Sequence, residues 1–85
     1  SAPEDALEIR IIEALGGADN IETVTCCASR LRVTVKDDSL IAPDTSWKNY
    51  LEAIGVVRGK NSVQVIYGVR VVNITTKVKD YLHLD

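Results

Sequence analysis

The chain has 85 residues, of which 46% are hydrophobic and 26% charged, with 10 basic and 12 acidic side chains giving a formal net charge of −2. That length is one domain, residues 1–85, with no room for a second, and the balance is that of a folded globular protein rather than a disordered one. The apolar runs are too short to span a membrane, no apolar stretch near the N-terminus reads as a signal peptide, and the charge leaves no basic footprint for nucleic acid.

Residues Pro3 to Leu15 read as a helix, with Leu7, Ile11, Ala14 and Leu15 on one face of a 3.6-residue period. Pro3, Glu4 and Asp5 suit its first turn, and Gly16-Gly17 ends it. Residues Ile21 to Cys26 read as a strand rich in Thr, Val and Ile. Arg30 to Lys36 is a stronger one: Leu31, Val33 and Val35 point one way and Arg30, Arg32, Thr34 and Lys36 the other. Only Cys27-Ala28-Ser29 lies between, so the two strands are expected to form an antiparallel hairpin. After a loop at Asp37-Asp38-Ser39, Pro43-Asp44-Thr45 opens a second helix that Asp44 or Thr45 can cap. Trp47, Tyr50, Leu51 and Ile54 supply its apolar face and Gly55 stops it. A short strand from Val56 to Arg58, a turn at Gly59-Lys60-Asn61 and a strand carrying Val63, Val65 and Tyr67 follow. Gly68 breaks that strand, and a third helix runs from about Val69 to Leu82 with Val71, Ile74, Val78, Tyr81 and Leu82 on its buried side. The order αββαββα predicts an α+β domain: a four-stranded antiparallel sheet with three helices on one face and a polar opposite face.

The two cysteines, Cys26 and Cys27, are adjacent. Adjacent cysteines close no useful loop, so they cannot staple a small secreted fold. A structural zinc site usually takes four ligands, and His83 is far away, so neither a metal nor another cofactor is expected. The pair reads as free thiols in a reducing compartment, one for packing and one for chemistry, with a vicinal disulfide as the uncommon alternative.

The stretch from Thr25 to Arg32 carries the chemistry. A thiol in a tight turn is followed at once by two arginines on one strand face, roughly 6.5–7 Å apart. Both guanidinium groups can converge on the turn, whose backbone N–H groups can add an anion-binding nest. Arginine forks match phosphate oxygens, and cations favour thiolate over thiol. The set reads as a nucleophilic sulfur in an oxyanion pocket. Taken separately, each part has a plainer reading: a buried free cysteine, and an R-x-R on a solvated strand face. Cys26 and Arg32 also satisfy C-x5-R, the spacing of cysteine phosphatases, but there the arginine opens a helix and here the residues alternate as a strand.

Cys27-Ala28-Ser29-Arg30-Leu31-Arg32 resembles the C-x-T-R-L-R motif of the IIB domain of bacterial phosphoenolpyruvate-dependent sugar phosphotransferase systems, in the glucose/sucrose/β-glucoside group. The resemblance continues through Leu15-Gly16-Gly17, Asn20-Ile21, Gly55-Val56-Val57 and Gln64-Val65-Ile66-Tyr67-Gly68, covering roughly residues 5–80 in order. It implies a phosphoryl relay, in which a IIA domain passes phosphate from a histidine to the IIB cysteine, and the phosphocysteine then phosphorylates a sugar bound by the membrane IIC domain. Cys27 matches the nucleophile, and Ser29, Arg30 and Arg32 match the phosphate-binding positions, with Gln64 and Ala28 as support. Two departures stand out: Ser29 replaces threonine, and Cys26 adds a second thiol, which alternation along the strand would turn toward the core.

The resemblance also implies a cytoplasmic place at the inner face of the membrane. It leaves the sugar unnamed. The alternatives are a non-catalytic binding module on the same fold and a small cysteine phosphatase. Lys60 reads as a solvated turn residue, Trp47 as core, and His83 as a terminal residue rather than a phosphate carrier.

Overall fold

The structure, a computed structural model, describes residues 3–84. Its helices are α1 (Leu7–Ala14), α2 (Asp44–Tyr50) and α3 (Val71–Leu82), and its strands are β1 (Ile21–Cys26), β2 (Arg30–Val35), β3 (Gly55–Gly59) and β4 (Ser62–Ile66). Short 3-10 turns at Ala18–Asn20, Asp38–Leu40 and Gly68–Arg70 sit between them. The strands form one sheet in the order β1-β2-β4-β3, with every neighbouring pair antiparallel. Two hairpins are thus joined side by side through β2 and β4, which makes the four-stranded antiparallel sheet that the sequence predicts.

Strand alternation sorts the side chains onto two faces. Val24, Val33 and Val63 face each other across three strands, as do Leu31 and Val65, and all are buried. They meet Ile11, Ile12 and Leu15 from the first helical segment, Trp47 and Leu51 from the second, and Val71, Ile74 and Val78 from α3 in a single core cluster. The three helices therefore cover one face, in two layers. The other face carries Thr23, Thr25, Arg32 and Thr34, all exposed. Trp47 is fully buried and its indole N–H donates to the Ala42 carbonyl at 3.1 Å. Asn20 is also buried: its amide nitrogen donates to the carbonyls of Leu15 (2.8 Å) and Asp37 (3.0 Å), and its oxygen accepts from Asp37 N–H (3.0 Å). That one side chain ties the end of α1 to the exit of β2.

Several boundaries differ from the sequence reading. Helix α1 starts at Leu7, not Pro3, because Ala6 is extended (ψ 144°) and the Asp5 carbonyl is taken by the Arg10 guanidinium at 3.0 Å instead of by a helical N–H. Helix α2 ends at Tyr50 rather than running to Ile54. Its last carbonyls find partners elsewhere: Arg10 donates to Tyr50 O at 2.6 Å and the Tyr67 hydroxyl to Leu51 O at 2.8 Å. Glu52 then takes a left-handed conformation (φ 61°) that turns the chain away. Tyr50 and Ile54, expected in the core, are consequently 70% and 66% exposed. Neither Asp44 nor Thr45 caps α2; the N-cap is Pro43, and Asp44 instead accepts from Arg58 Nε at 2.7 Å. Helix α3 begins at Val71 after a 3-10 turn, and Tyr81 lies at the edge of its buried stripe, 47% exposed. β3 and β4 run Gly55–Gly59 and Ser62–Ile66, so Tyr67 lies just past the strand although its side chain is buried.

Candidate functional site

The hairpin turn between β1 and β2 holds the candidate nucleophile. Cys27 N–H donates to Arg30 O at 3.0 Å, which closes the turn around Ala28 and Ser29. Cys27 and Ala28 are exposed and Ser29 is half-buried. The backbone N–H groups of Ser29 and then Arg30, with the nearby Arg32 and Arg30 guanidinium groups, hold the Cys27 thiol below the usual cysteine range. The cause is that the charged form gains donors and cations that the neutral thiol uses poorly.

Arg30 and Arg32 occupy the first and third positions of β2 and project from the same, uncovered face. Arg30 Nη1 donates to Gln64 Oε1 at 3.3 Å. Gln64 itself lies directly opposite Arg32 in the ladder, so one amide stands beside both arginines. The same row of the sheet continues through Thr25 on β1 and Val57 on β3. The result is an exposed thiol in the turn beside a two-arginine face. Such a site can hold a dianionic group on sulfur through charge-assisted hydrogen bonds.

The structure places Cys27, Ala28 and Ser29 in the β1–β2 turn, Arg30 at the start of β2, and Arg32 and Gln64 opposite each other near the middle of the β2–β4 ladder, with Gln64 joined to Arg30. Lys60 is at the opposite end of the β3–β4 hairpin, His83 caps α3 in a left-handed conformation (φ 59°), and Trp47 is core. Cys26 pairs with Leu31 on the core side of the ladder, yet it is exposed, because it ends edge strand β1 where that face opens to solvent; it does not pack into the core. Both thiols are free. The C-x5-R pattern is formed, but Arg32 lies in the middle of β2 and opens no helix, unlike the phosphatase loop.

Sequence reasoning missed the contact that fixes the turn from outside. The N–H groups of Tyr67 and Gly68 both donate to the Ser29 carbonyl, at 2.9 and 3.0 Å. The break at Gly68 was legible, but the direction of two N–H groups depends on how β4 ends against β2.

Fold and site together define a two-layer α+β domain that presents an exposed thiol next to two arginines. Residues 9–41, which include the whole β1–β2 hairpin, match the family described as phosphotransferase system, EIIB. The chain is 49% identical over 72 residues to the maltose-specific EIICB component of the PTS system of Bacillus subtilis (strain 168), covering 85% of this chain and 14% of that protein. It is 51% identical over 63 residues to the arbutin-, cellobiose-, and salicin-specific EIIBC component of Escherichia coli (strain K12), covering 74% of this chain and 13% of that one. Among solved structures, one domain of the PTS system IIabc component from Clostridium difficile superposes with a TM-score of 0.69 at 31% identity, covering 98% of this chain and 90% of that one. The chain belongs to the EIIB family of the phosphotransferase system, whose domains are phosphotransferase components of sugar transport. It spans about one seventh of the length of the curated relatives it matches, which join EIIB to EIIC. No helix among the described residues is long and apolar enough to cross a membrane.

Proposed function

We propose that this is a single phosphocarrier domain that works through a phosphocysteine at Cys27. The Cys27 thiolate attacks the phosphorus of a phosphohistidine on a IIA partner; the S–P bond forms, the N–P bond breaks, and the imidazole leaves. A hydroxyl of a sugar bound by a IIC partner then attacks the phosphorus, the S–P bond breaks, the hydroxyl proton is released and the thiolate returns. Ser29, Arg30 and Arg32 hold the phosphoryl oxygens, with Gln64 supporting Arg30 and Ala28 leaving the turn unobstructed. In this reading the domain sits at the cytoplasmic face of the membrane, attached to its permease component.

The observation that supports it most is the thiol itself: Cys27 is exposed in the turn that leads straight into the strand carrying Arg30 and Arg32, and its thiol is held below the usual cysteine range. Phosphoryl transfer needs little more than positioning and stabilisation of the oxygens in flight. The test is incubation with phosphoenolpyruvate, the general phosphotransferase components and a IIA domain, read by intact mass. One phosphoryl group per chain, on Cys27 and released to sugar by a IIC partner, is the expected result. A protein that never gains the group, under conditions in which the IIA domain is phosphorylated, would overturn the proposal.

A further inference from the structure

The turn that carries Cys27 is anchored on the far side by an unusual piece of backbone. Tyr67 is right-handed helical (φ −117°, ψ −8°) and Gly68 is left-handed (φ 68°). Successive N–H groups in that right-left pairing converge on one point, the concave nest that in other settings binds anions. Here the nest is filled by the Ser29 carbonyl oxygen, at 2.9 Å from Tyr67 N and 3.0 Å from Gly68 N. Space does not demand glycine at this position: a Cβ on residue 68 would meet Ile54 Cδ1 at 3.6 Å, an ordinary contact. The positive φ favours it, with asparagine the next most tolerant residue. Tyr67 is pinned in turn, with its ring 3% exposed and its hydroxyl donating to Leu51 O at 2.8 Å.

The peptide unit held by the nest lies within the turn that Cys27 N–H closes on Arg30 O, and its N–H is one of the two main-chain groups that lower the Cys27 thiol. The Ser29 carbonyl and the Arg30 N–H belong to a single planar amide. Fixing the position of the oxygen therefore fixes where the N–H points. Two donors on that oxygen also draw electron density toward it and leave the N–H more strongly polarised, as in any chain of amide hydrogen bonds.

We propose that Tyr67 and Gly68 are positioning residues for the reacting sulfur: their nest on the Ser29 carbonyl aims and polarises the Arg30 N–H at Cys27. The second hairpin thereby tunes a nucleophile carried by the first. The charged groups acting on the same sulfur, Arg32 and Arg30, are carried by β2 and are left unaltered by changes at residue 68. The inference rests on Cys27 being the reacting sulfur.

The test is the pH profile of Cys27 alkylation by iodoacetamide in a Cys26→Ser background, with thermal unfolding followed alongside. Gly68→Val cannot hold a positive φ, whereas Gly68→Asn can. In Gly68→Val the alkylation midpoint should move to higher pH and the rate at neutral pH fall about twofold to fivefold, the size expected of changing one polarised donor. Gly68→Asn should stay close to the parent. If Gly68→Val does not fold, glycolate in place of Gly68, which swaps the N–H for an ester oxygen and keeps the backbone freedom, should give the same upward move. An unchanged midpoint in folded Gly68→Val or in the ester protein overturns the proposal. So does an equal move in Gly68→Val and Gly68→Asn, which would assign the effect to side-chain bulk. Alkylation reads the sulfur directly, so failure of the phosphocarrier reading would appear as absent phosphoryl acceptance with the Gly68 effect intact. Failure of the nest would appear as normal acceptance with no Gly68 effect.

Discussion

A thiol is a useful nucleophile near neutral pH only when its thiolate is stabilised, and Cys27 has two sources of that: N–H groups from its own turn and guanidinium groups from β2. Its folded pKa lies below the ordinary thiol value, so at intermediate pH the folded chain carries more thiolate there than the unfolded chain does. Alkylation of Cys27 should accordingly reach its midpoint at lower pH in the native protein than in urea; coincident midpoints would refute the mechanism. The neighbouring thiol has no such role assigned. Cys27→Ser should abolish transferable phosphorylation while Cys26→Ser keeps most of it, both read by phosphoenzyme yield; the opposite result would make Cys26 the nucleophile. The arginines separate by step. In the proposed relay a IIA partner would bring its own positioning groups when it donates phosphate, whereas transfer to a neutral sugar would leave the holding to this domain. Arg30→Lys and Arg32→Lys keep charge and lose the bidentate fork. They should still be phosphorylated but pass the group to sugar poorly, and full sugar transfer in both would remove the forks from the mechanism. That Cys27, Ser29, Arg30 and Arg32 lie together at one turn was legible in the sequence because they are consecutive or alternate along one strand; the choice of Cys27 over Cys26 as nucleophile rests on the family resemblance. The donors from Tyr67 and Gly68 were not, because their direction is set by the junction of β4 with β2.

Among the elements, the strands were read closely because period-2 alternation at Leu31, Val33 and Val35, and at Val63 and Val65, has one physical solution when one face is buried. Helix α2 was overextended for a reason that periodicity cannot show: Tyr50 and Ile54 fit a helical stripe, but donors from Arg10 and Tyr67, distant in sequence, take the carbonyls of Tyr50 and Leu51. Ile54 is thereby released to the surface, where its N–H donates to Ile66 O at 2.8 Å and extends the β3–β4 pairing toward the thiol turn. The junction at Asn20 is the other element-level device hidden from pattern reading. Gly16 passes so close to it (φ 97°) that a Cβ there would fall 2.7 Å from Asn20 Nδ2. Asn20→Ala removes three hydrogen bonds of a buried side chain and takes their partner from the Leu15 carbonyl and the Asp37 N–H, while the Asp37 carbonyl keeps Leu40 N–H, which should cost about 3 kcal/mol. Urea denaturation checks this; a loss within a few tenths of a kcal/mol would mean that water replaces the amide.

At the scale of the molecule, the reacting end of the sheet is bordered by apolar side chains left outside the core. Ile54, 66% exposed, lies against Gly68, and Val69, 97% exposed, follows it directly. Ile66 pairs with Arg30, and Val57, 44% exposed, shares the row of Arg32 and Gln64. In a chain with a net charge of −2, long-range steering is weak, so an apolar collar formed by these side chains is what the proposed relay would use for docking. A carrier that receives a group from one partner and delivers it to another must offer the same sulfur to both, so one collar has to serve both encounters. Titration with a IIA domain should therefore shift the amide resonances of Cys27, Ser29, Ile54, Gly68 and Val69, with an affinity that depends only weakly on salt. Ile54→Ser and Val69→Ser should weaken binding about tenfold together, since each removes a large exposed apolar contact, while the alkylation profile of Cys27 stays put. Resonance shifts confined to Gly59, Lys60 and Asn61, at the other end of the sheet, would place the partner where no thiol can be reached and would sink the docking scheme.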